Sequence, residues 1–440
     1  MDRLAFARAQ MGMSLAFHIV FAAIGIALPL AIFVVEGLFL WSGEQHYLRL
    51  ARRWAKVTGL LFAIGAISGT ALSFELGLLW PKYMQVMGAA VGQAFGLEGF
   101  AFFIEGIFIG LYLYGWRRLK PVTHWLCAGV IALSGAASGA LVLAVNAWMQ
   151  LPVGFKMDAA GKVISTDPSA IFRTYAWVVM SIHSTLACYE AVPLLMAGIY
   201  AMALLKGRRD AYCRSAMLVC MSIGGIAAIL QPMSGDAIAK FVYRTQPAKF
   251  AAMEAEFETR THAPMHLGGF PDLKARTDRD SIEIPDLLSF LAAHDFSARV
   301  TGLNDIPQAL WPNVRVVHWA FDLMAVCGTI IAIATIIFWV EFAVRRQRVF
   351  EIRTVLWMLV IVGPLGLVAL EAGWFVTELG RQPWIIQGIM LTKDAVTPSA
   401  QVPFVFFAFA LLYVSLAVIV ILLIRRGKYA PGAESVEVLR

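Results

Sequence analysis

Charge is scarce in this chain of 440 residues. Asp, Glu, Lys and Arg together make up 15% of it, hydrophobic residues 60%, and the mean hydropathy is +0.72. That excludes an ordinary soluble domain, in which roughly a quarter of residues are charged. Cysteine is also sparse. Cys127, Cys188, Cys213, Cys220 and Cys327 are scattered in or beside apolar segments. No two of them form a C-x-x-C pair and no C-x-x-C-H occurs, which excludes covalent haem attachment and leaves them as buried free thiols. The formal charge of +7 is no sign of a nucleic-acid partner, because the basic residues fall in short clusters between apolar runs. No internal repeat points to a transporter built from inverted halves.

Apolar runs long enough to cross roughly 30 Å of hydrocarbon do recur. The sequence predicts an all-α, polytopic membrane helix bundle of about nine spans, near 12–40, 57–80, 93–115, 122–148, 171–204, 212–233, 314–343, 354–376 and 402–425. Basic clusters follow the odd spans: Arg49, Arg52, Arg53 and Lys56; Arg117, Arg118 and Lys120; Lys206, Arg208 and Arg209; Arg345, Arg346 and Arg348; Arg425, Arg426 and Lys428. The positive-inside rule then puts the N-terminus outside and the C-terminus in the cytoplasm. The opening segment is too long for a cleavable signal peptide. The chain divides into residues 1–233 with spans one to six, an extracytoplasmic loop at 234–313, and residues 314–440 with spans seven to nine and a short cytoplasmic tail.

Chemistry-bearing residues gather in the outer half. His18 and His183 lie well inside apolar spans, and Met324 lies at a depth that matches His183. A histidine and a methionine at one depth have the chemistry of the two axial ligands of a low-spin haem b. His318, nearer the surface, is a rival ligand. Glu75, Glu98, Glu105, Glu371 and Glu378 add carboxylates, which are expensive in a membrane unless they pair, bind or move protons. Glu98 and Glu105 are seven residues apart and share a helix face, about 10 Å apart along the axis, as a proton relay requires. In the loop, Lys249 and Glu254 fall in a segment, KFAAMEAEFE, that reads as a short helix.

Several separated motifs resemble subunit I of cytochrome bd-type quinol oxidases, over most of the chain. They are AFHIVF around His18, GLEGFAFFIEGIFIGLYLYGW with Glu98 and Glu105, NAWMQLPVGF with Asn146, Trp148 and Gln150, QPAKFAAMEAEFET with Lys249 and Glu254, and GWFVTELGRQPW with Trp374, Glu378 and Arg381. The resemblance implies His183 and Met324 as axial ligands of the low-spin haem, and His18, Glu378 and Glu98 at a high-spin pair. Trp374 would lie near those haems and Arg381 near haem carboxylates. Glu105 and Glu98 would supply protons, and Lys249 and Glu254 would serve quinol oxidation. The implied cofactors are a low-spin haem b, a high-spin haem b, and haem d or a third haem b.

The implied partners are a second large subunit in a heterodimer, often a tiny single-helix subunit, quinol, dioxygen and membrane lipids, in a bacterial inner membrane. The loop lacks the long insertion of one branch, so the short-loop, cyanide-insensitive-like type is expected. Asp322 stands where some members have arginine. Two rivals remain at this stage. One is a haem b quinol dehydrogenase without oxygen chemistry, which leaves His18 and Glu378 unexplained. The other is a proton-coupled transporter, which explains the acids but neither the loop nor the pairing of His183 with Met324.

Overall fold

The computed structural model describes residues 2–159 and 163–425. Arg426, Lys428 and the expected cytoplasmic tail lie outside the described residues. Helices α1 (Arg3–Ser42), α2 (Gln45–Leu79), α3 (Pro81–Gly115), α4 (Pro121–Gln150), α5 (Tyr175–Leu205) and α6 (Ala211–Thr245) run up and down. Two short ribbon strands, β1 (Phe155–Met157) and β2 (Val163–Thr166), link α4 to α5. The loop follows α6. It holds α7 (Pro247–Met253), β3 (Met265–Leu267), β4 (Phe270–Asp272), β5 (Thr277–Arg279), β6 (Ile282–Ile284) and α8 (Leu287–Ala293). The chain closes with α9 (Val314–Arg345), α10 (Arg353–Val362), α11 (Leu365–Gly380), β7 (Trp384–Ile386), β8 (Met390–Leu391), α12 (Thr392–Ala395) and α13 (Val402–Arg425). Among the described residues, nine helical segments are long and apolar enough to cross a membrane, with α10 and α11 counting as one.

Most helices outrun the expected spans, whereas α5 starts at Tyr175, after the expected 171, and α13 keeps the expected bounds. Hydropathy marks the part that sits in hydrocarbon, whereas polar flanks stay helical wherever a cap satisfies their first amides. Asp2, Thr174, Asp210 and Asn313 each accept from a backbone N–H of the first turn of α1, α5, α6 and α9. α6 runs to Thr245, twelve residues into the stretch read from sequence as loop, because Gln231, Ser234, Asp236 and Lys240 lower its hydropathy without breaking it. The eighth span is interrupted at Gly363-Pro364, where proline lacks the N–H that a continuous helix needs. There the backbone of Gly363 approaches α5 closely: a Cβ on Gly363 would meet Leu194 O at 3.1 Å, and one on Gly198 would meet Leu359 O at 2.9 Å.

The loop is folded against the bundle. The pairs β3–β6 and β4–β5 are antiparallel. Ser289 is fully buried; it accepts from Ala263 N at 2.8 Å and donates to Ala298 O at 2.8 Å. Asp322 on α9 accepts from Gly268 N at 2.9 Å, so the residue that stands in place of an arginine pins the loop to the span. At the other end of the bundle a buried cluster ties three helices. Glu36 takes the Tyr112 hydroxyl at 2.5 Å and His124 Nδ1 at 2.7 Å, and His124 Nε2 meets Tyr112 O at 2.9 Å.

Candidate functional site

His183 stands about 12 Å into α5 and Met324 about 15 Å into α9, counting 1.5 Å per residue from the loop end. Both line one cavity of about 620 Å³, within the usual range for a bound organic ligand. Glycines keep it open beside each of them. A Cβ on Gly235 would lie 3.6 Å from His183 Cε1, and one on Gly373 would lie 3.1 Å from Met324 Sδ. Lys249, Glu254 and Trp374 also line the cavity. The sequence therefore separated by long stretches of chain what the fold brings into a single space.

The hydrogen bonds of the two histidines fix their tautomers. Ser234 Oγ donates to Gln231 O at 2.8 Å, so it can only accept from His183 Nδ1–H, 2.9 Å away. His183 Nε2 then carries the lone pair, with Gln231 Nε2 3.4 Å from it. His18 repeats the device. Ser68 Oγ donates to Gly65 O at 3.1 Å and accepts from His18 Nδ1–H at 2.9 Å. Each ring thus gives its Nδ1–H to an outer partner of the kind that supports metal-bound histidines and turns its Nε2 away from that serine, where the Gln231 amide is the protein group facing that of His183. His318, the rival, is spent elsewhere. Its Nδ1 meets Met253 O at 2.8 Å and its Nε2 meets Gly268 O at 3.0 Å, leaving neither nitrogen for a metal.

α7 is not the surface helix its charges allow. Lys249, Phe250, Ala251, Ala252 and Met253 are all buried. It is shorter than the sequence predicts, because Ala255 turns into the left-handed region at φ 50 and Glu254 becomes the C-cap. The Lys249 stem passes over Gly380, where a Cβ would stand 2.8 Å from it, and Nζ lies 3.5 Å from Thr377 O. Burial, and next the Arg381 guanidinium, draws the Lys249 ammonium down to about 7, with Glu378 opposing. Burial pushes the Glu254 carboxyl up to about 8, helped by Asp322 and Glu256.

His18, Glu98, Glu105, Glu378 and Arg381 lie outside this cavity. Glu98 accepts from Ser138 at 3.1 Å. Glu105 is buried between glycines; a Cβ on Gly135 would stand 3.3 Å from its Oε1, which has no partner. Glu378 is held by Asn146 and by Arg381 Nη2, the latter at 2.7 Å. Arg381 is buried, yet its Nε and Nη1 meet no acceptor. Two orphaned guanidinium donors fit an anionic group such as a haem carboxylate. Trp374 belongs to both regions, since it lines the cavity and packs against the cluster of Ile19, Ala23 and Cys188 near His18.

No group of three or more His, Cys, Asp and Glu among the described residues is placed to hold a bare ion. The donor set suits iron carried in a porphyrin, which takes only one or two ligands from the protein. Sequence reading passed over Ser68, Ser234, Glu190 and the Glu36–His124 pair. Of these, the two glutamates carried a signal, as acids inside apolar runs.

Residues 6–429 match the family model described as cytochrome bd terminal oxidase subunit I. A candidate cytochrome bd menaquinol oxidase subunit I of Bacillus subtilis is 34% identical over 432 residues, 96% of each chain. The cytochrome bd ubiquinol oxidase subunit 1 of the same organism is 29% identical, over 99% of this chain and 95% of that one. The bd oxidase structure from Geobacillus thermodenitrificans superposes with a TM-score of 0.91 at 34% identity, over 97% of this chain and 98% of that one. A multi-pass, haem-bearing membrane oxidoreductase is the class that fold and site define. The chain belongs to the cytochrome bd terminal oxidase subunit I family, and is subunit I of a multi-subunit quinol oxidase.

Proposed function

We propose that this subunit oxidises quinol between Lys249 and Glu254 and passes the electrons by way of the His183–Met324 pair to a high-spin site held by His18, Glu98 and Glu378. The support is a single cavity that contains both the loop residues and the ligand pair. Haem supplies one-electron transfer and, where an axial position is open, the site of dioxygen reduction to water. His183 and Met324 would hold a low-spin haem b, whose chemistry there would be electron transfer alone. His18, Glu98 and Glu378 serve a high-spin haem b together with haem d or a third haem b, and Arg381 offers its two free donors to their carboxylates. Trp374 packs between the two regions.

Lys249, as the ammonium, donates to a quinol oxygen, and Glu254, as the carboxylate, takes the departing proton. The basic clusters after the odd spans put this loop outside, so those protons leave outside. Glu105 and Glu98, on one face of α3, carry protons from the cytoplasm to the oxygen site. The protein works in the inner membrane beside a second large subunit.

The visible spectrum of purified His183→Ala tests the core of this reading. Loss of the low-spin signal is expected. A reduced spectrum identical to that of the unaltered protein would remove His183 from the site.

A further inference from the structure

Glu190 lines the same cavity as His183 and lies seven residues further along α5. Seven residues are two turns, so the carboxyl sits on the same helix face about 10 Å deeper. It is 4% exposed, and no hydrogen bond or ion pair to it is found among the described residues. The cavity lining at these helices includes small apolar residues, Ala187 on α5, Ala228 on α6, Ala332 on α9, and Gly366 and Ala369 on α11, and a Cβ on Gly366 would meet Ala191, the residue after Glu190, at 2.6 Å. Glu98, Glu378 and Glu36 each have a donor; Glu190 has none. A buried carboxyl without a partner is expensive to keep in a membrane bundle, and such groups mark function.

The other ionisable groups facing the cavity are His183 from α5, Asp236 from α6, and Lys249 and Glu254 from α7. α4, α9 and α11 contribute none to its lining, and α1 and α10 do not line it. On α5 itself, Cys188 and Tyr189 are the neighbours in sequence. Asp236 is already engaged, with Lys240 at 2.7 Å and His294 at 3.5 Å. In so poorly screened a space the charge on Glu190 depends strongly on the charge of whatever occupies the cavity.

We propose that Glu190 is a redox-linked proton site: it binds one proton when the group held by His183 and Met324 gains one electron, and releases it when that electron leaves. The electron comes from quinol, the proton from water reaching the cavity, and the charge of the pair stays constant through the cycle. The carboxyl acts through the cofactor's field and touches no substrate, so it is a positioning residue for charge. This rests on the ligation by His183 and Met324.

The test is a redox titration of the low-spin signal in the purified oxidase complex at several pH values, for the unaltered protein and Glu190→Gln. At full coupling the reduction equilibrium moves about tenfold per pH unit, and Glu190→Gln is expected to lose much of that slope. The reduced-minus-oxidised infrared spectrum of the unaltered protein should show a deuterium-sensitive carboxyl band that the variant lacks. An unaltered slope in Glu190→Gln with its low-spin signal intact overturns the proposal. So does the absence of any such band in the unaltered protein, a measurement that needs no variant to assemble. A low-spin signal that survives in His183→Ala overturns the ligation instead, so the two failures are told apart.

Discussion

His18 gives its Nδ1–H to Ser68 at 2.9 Å, and His183 gives its own to Ser234 at the same distance. In both, the serine hydroxyl is already committed to a carbonyl three residues back, and a glycine follows the serine. The two sites differ in what surrounds the ring. Gly235 leaves His183 ordinary clearance, beside a wide cavity with a thioether across it. Gly69 sits hard against His18, where a Cβ would stand only 2.8 Å from Cε1. The lesson is that a neighbouring helix, through one Ser-Gly pair, sets the tautomer and makes room for the ring.

The largest expected effect breaks the comparison outright. His18→Ala, or Glu378→Gln, which keeps size but removes the anion, should abolish oxygen consumption and leave the low-spin signal. Normal oxygen consumption in Glu378→Gln, measured with quinol as donor, would make that residue a bystander.

A loss of about a hundredfold in quinol oxidation is expected for Lys249→Ala and Glu254→Ala, the scale of a missing acid or base. Haem content and oxygen reduction from an artificial donor should be largely kept. The pH profile sharpens this. Lys249 must be protonated, so its contribution falls as pH rises through about 7, whereas Glu254 must be ionised, so its contribution rises through about 8. Their product is a bell between those values. Glu254→Gln should erase the rising limb and Lys249→Arg the falling one. A bell unchanged in both variants would place quinol elsewhere.

Gly69→Ala and Gly235→Ala separate the two histidines by clearance alone. At Gly69 the added methyl overlaps the His18 ring, a misfit worth about 1–3 kcal/mol, and the high-spin signal should change. At Gly235 the methyl meets His183 at van der Waals distance. The gain of about 1 kcal/mol in helix propensity should then offset any crowding, and the low-spin signal should stay. Thermal unfolding followed in both variants checks this. Equal destabilisation would mean that clearance is not what distinguishes them.

Much of this was legible in the sequence, for physical reasons. An apolar run of span length has one economical fate, so nine spans could be counted, and an acid, histidine or arginine inside one announces itself. Ser68 and Ser234 did not, because a serine in a membrane helix looks the same whether it back-bonds idly or also holds a ring. The burial of α7 was hidden too. Its charged letters, Lys249 and Glu254, read as surface, and only the packing of α7 against α6, α9 and α11 shows otherwise. The ends of α6 and α7 depended on a polar stretch that stays helical and on one alanine at positive φ, neither of which hydropathy registers.

The smallest expected effect concerns those serines. Ser68→Ala and Ser234→Ala each leave an Nδ1–H without its acceptor, a loss of about 1 kcal/mol for the hydrogen bond itself. The ring can then shift its proton to Nε2, which withdraws the lone pair an iron would use; partners of this kind are typically worth about tenfold or more in affinity. The two variants should not be equal. Gln231 donates to His183 O at 3.3 Å, which orients its amide so that Nε2 also faces His183 Nε2 at 3.4 Å. A proton on His183 Nε2 would meet that donor, so the Nδ1–H tautomer keeps some support when Ser234 is gone. Loss of the high-spin signal in Ser68→Ala should therefore exceed loss of the low-spin signal in Ser234→Ala, when each purified variant is challenged with apomyoglobin as haem acceptor. Equal losses would remove Gln231 from the account. No loss in either would show that the serines are packing residues and that the histidines find their tautomer without them.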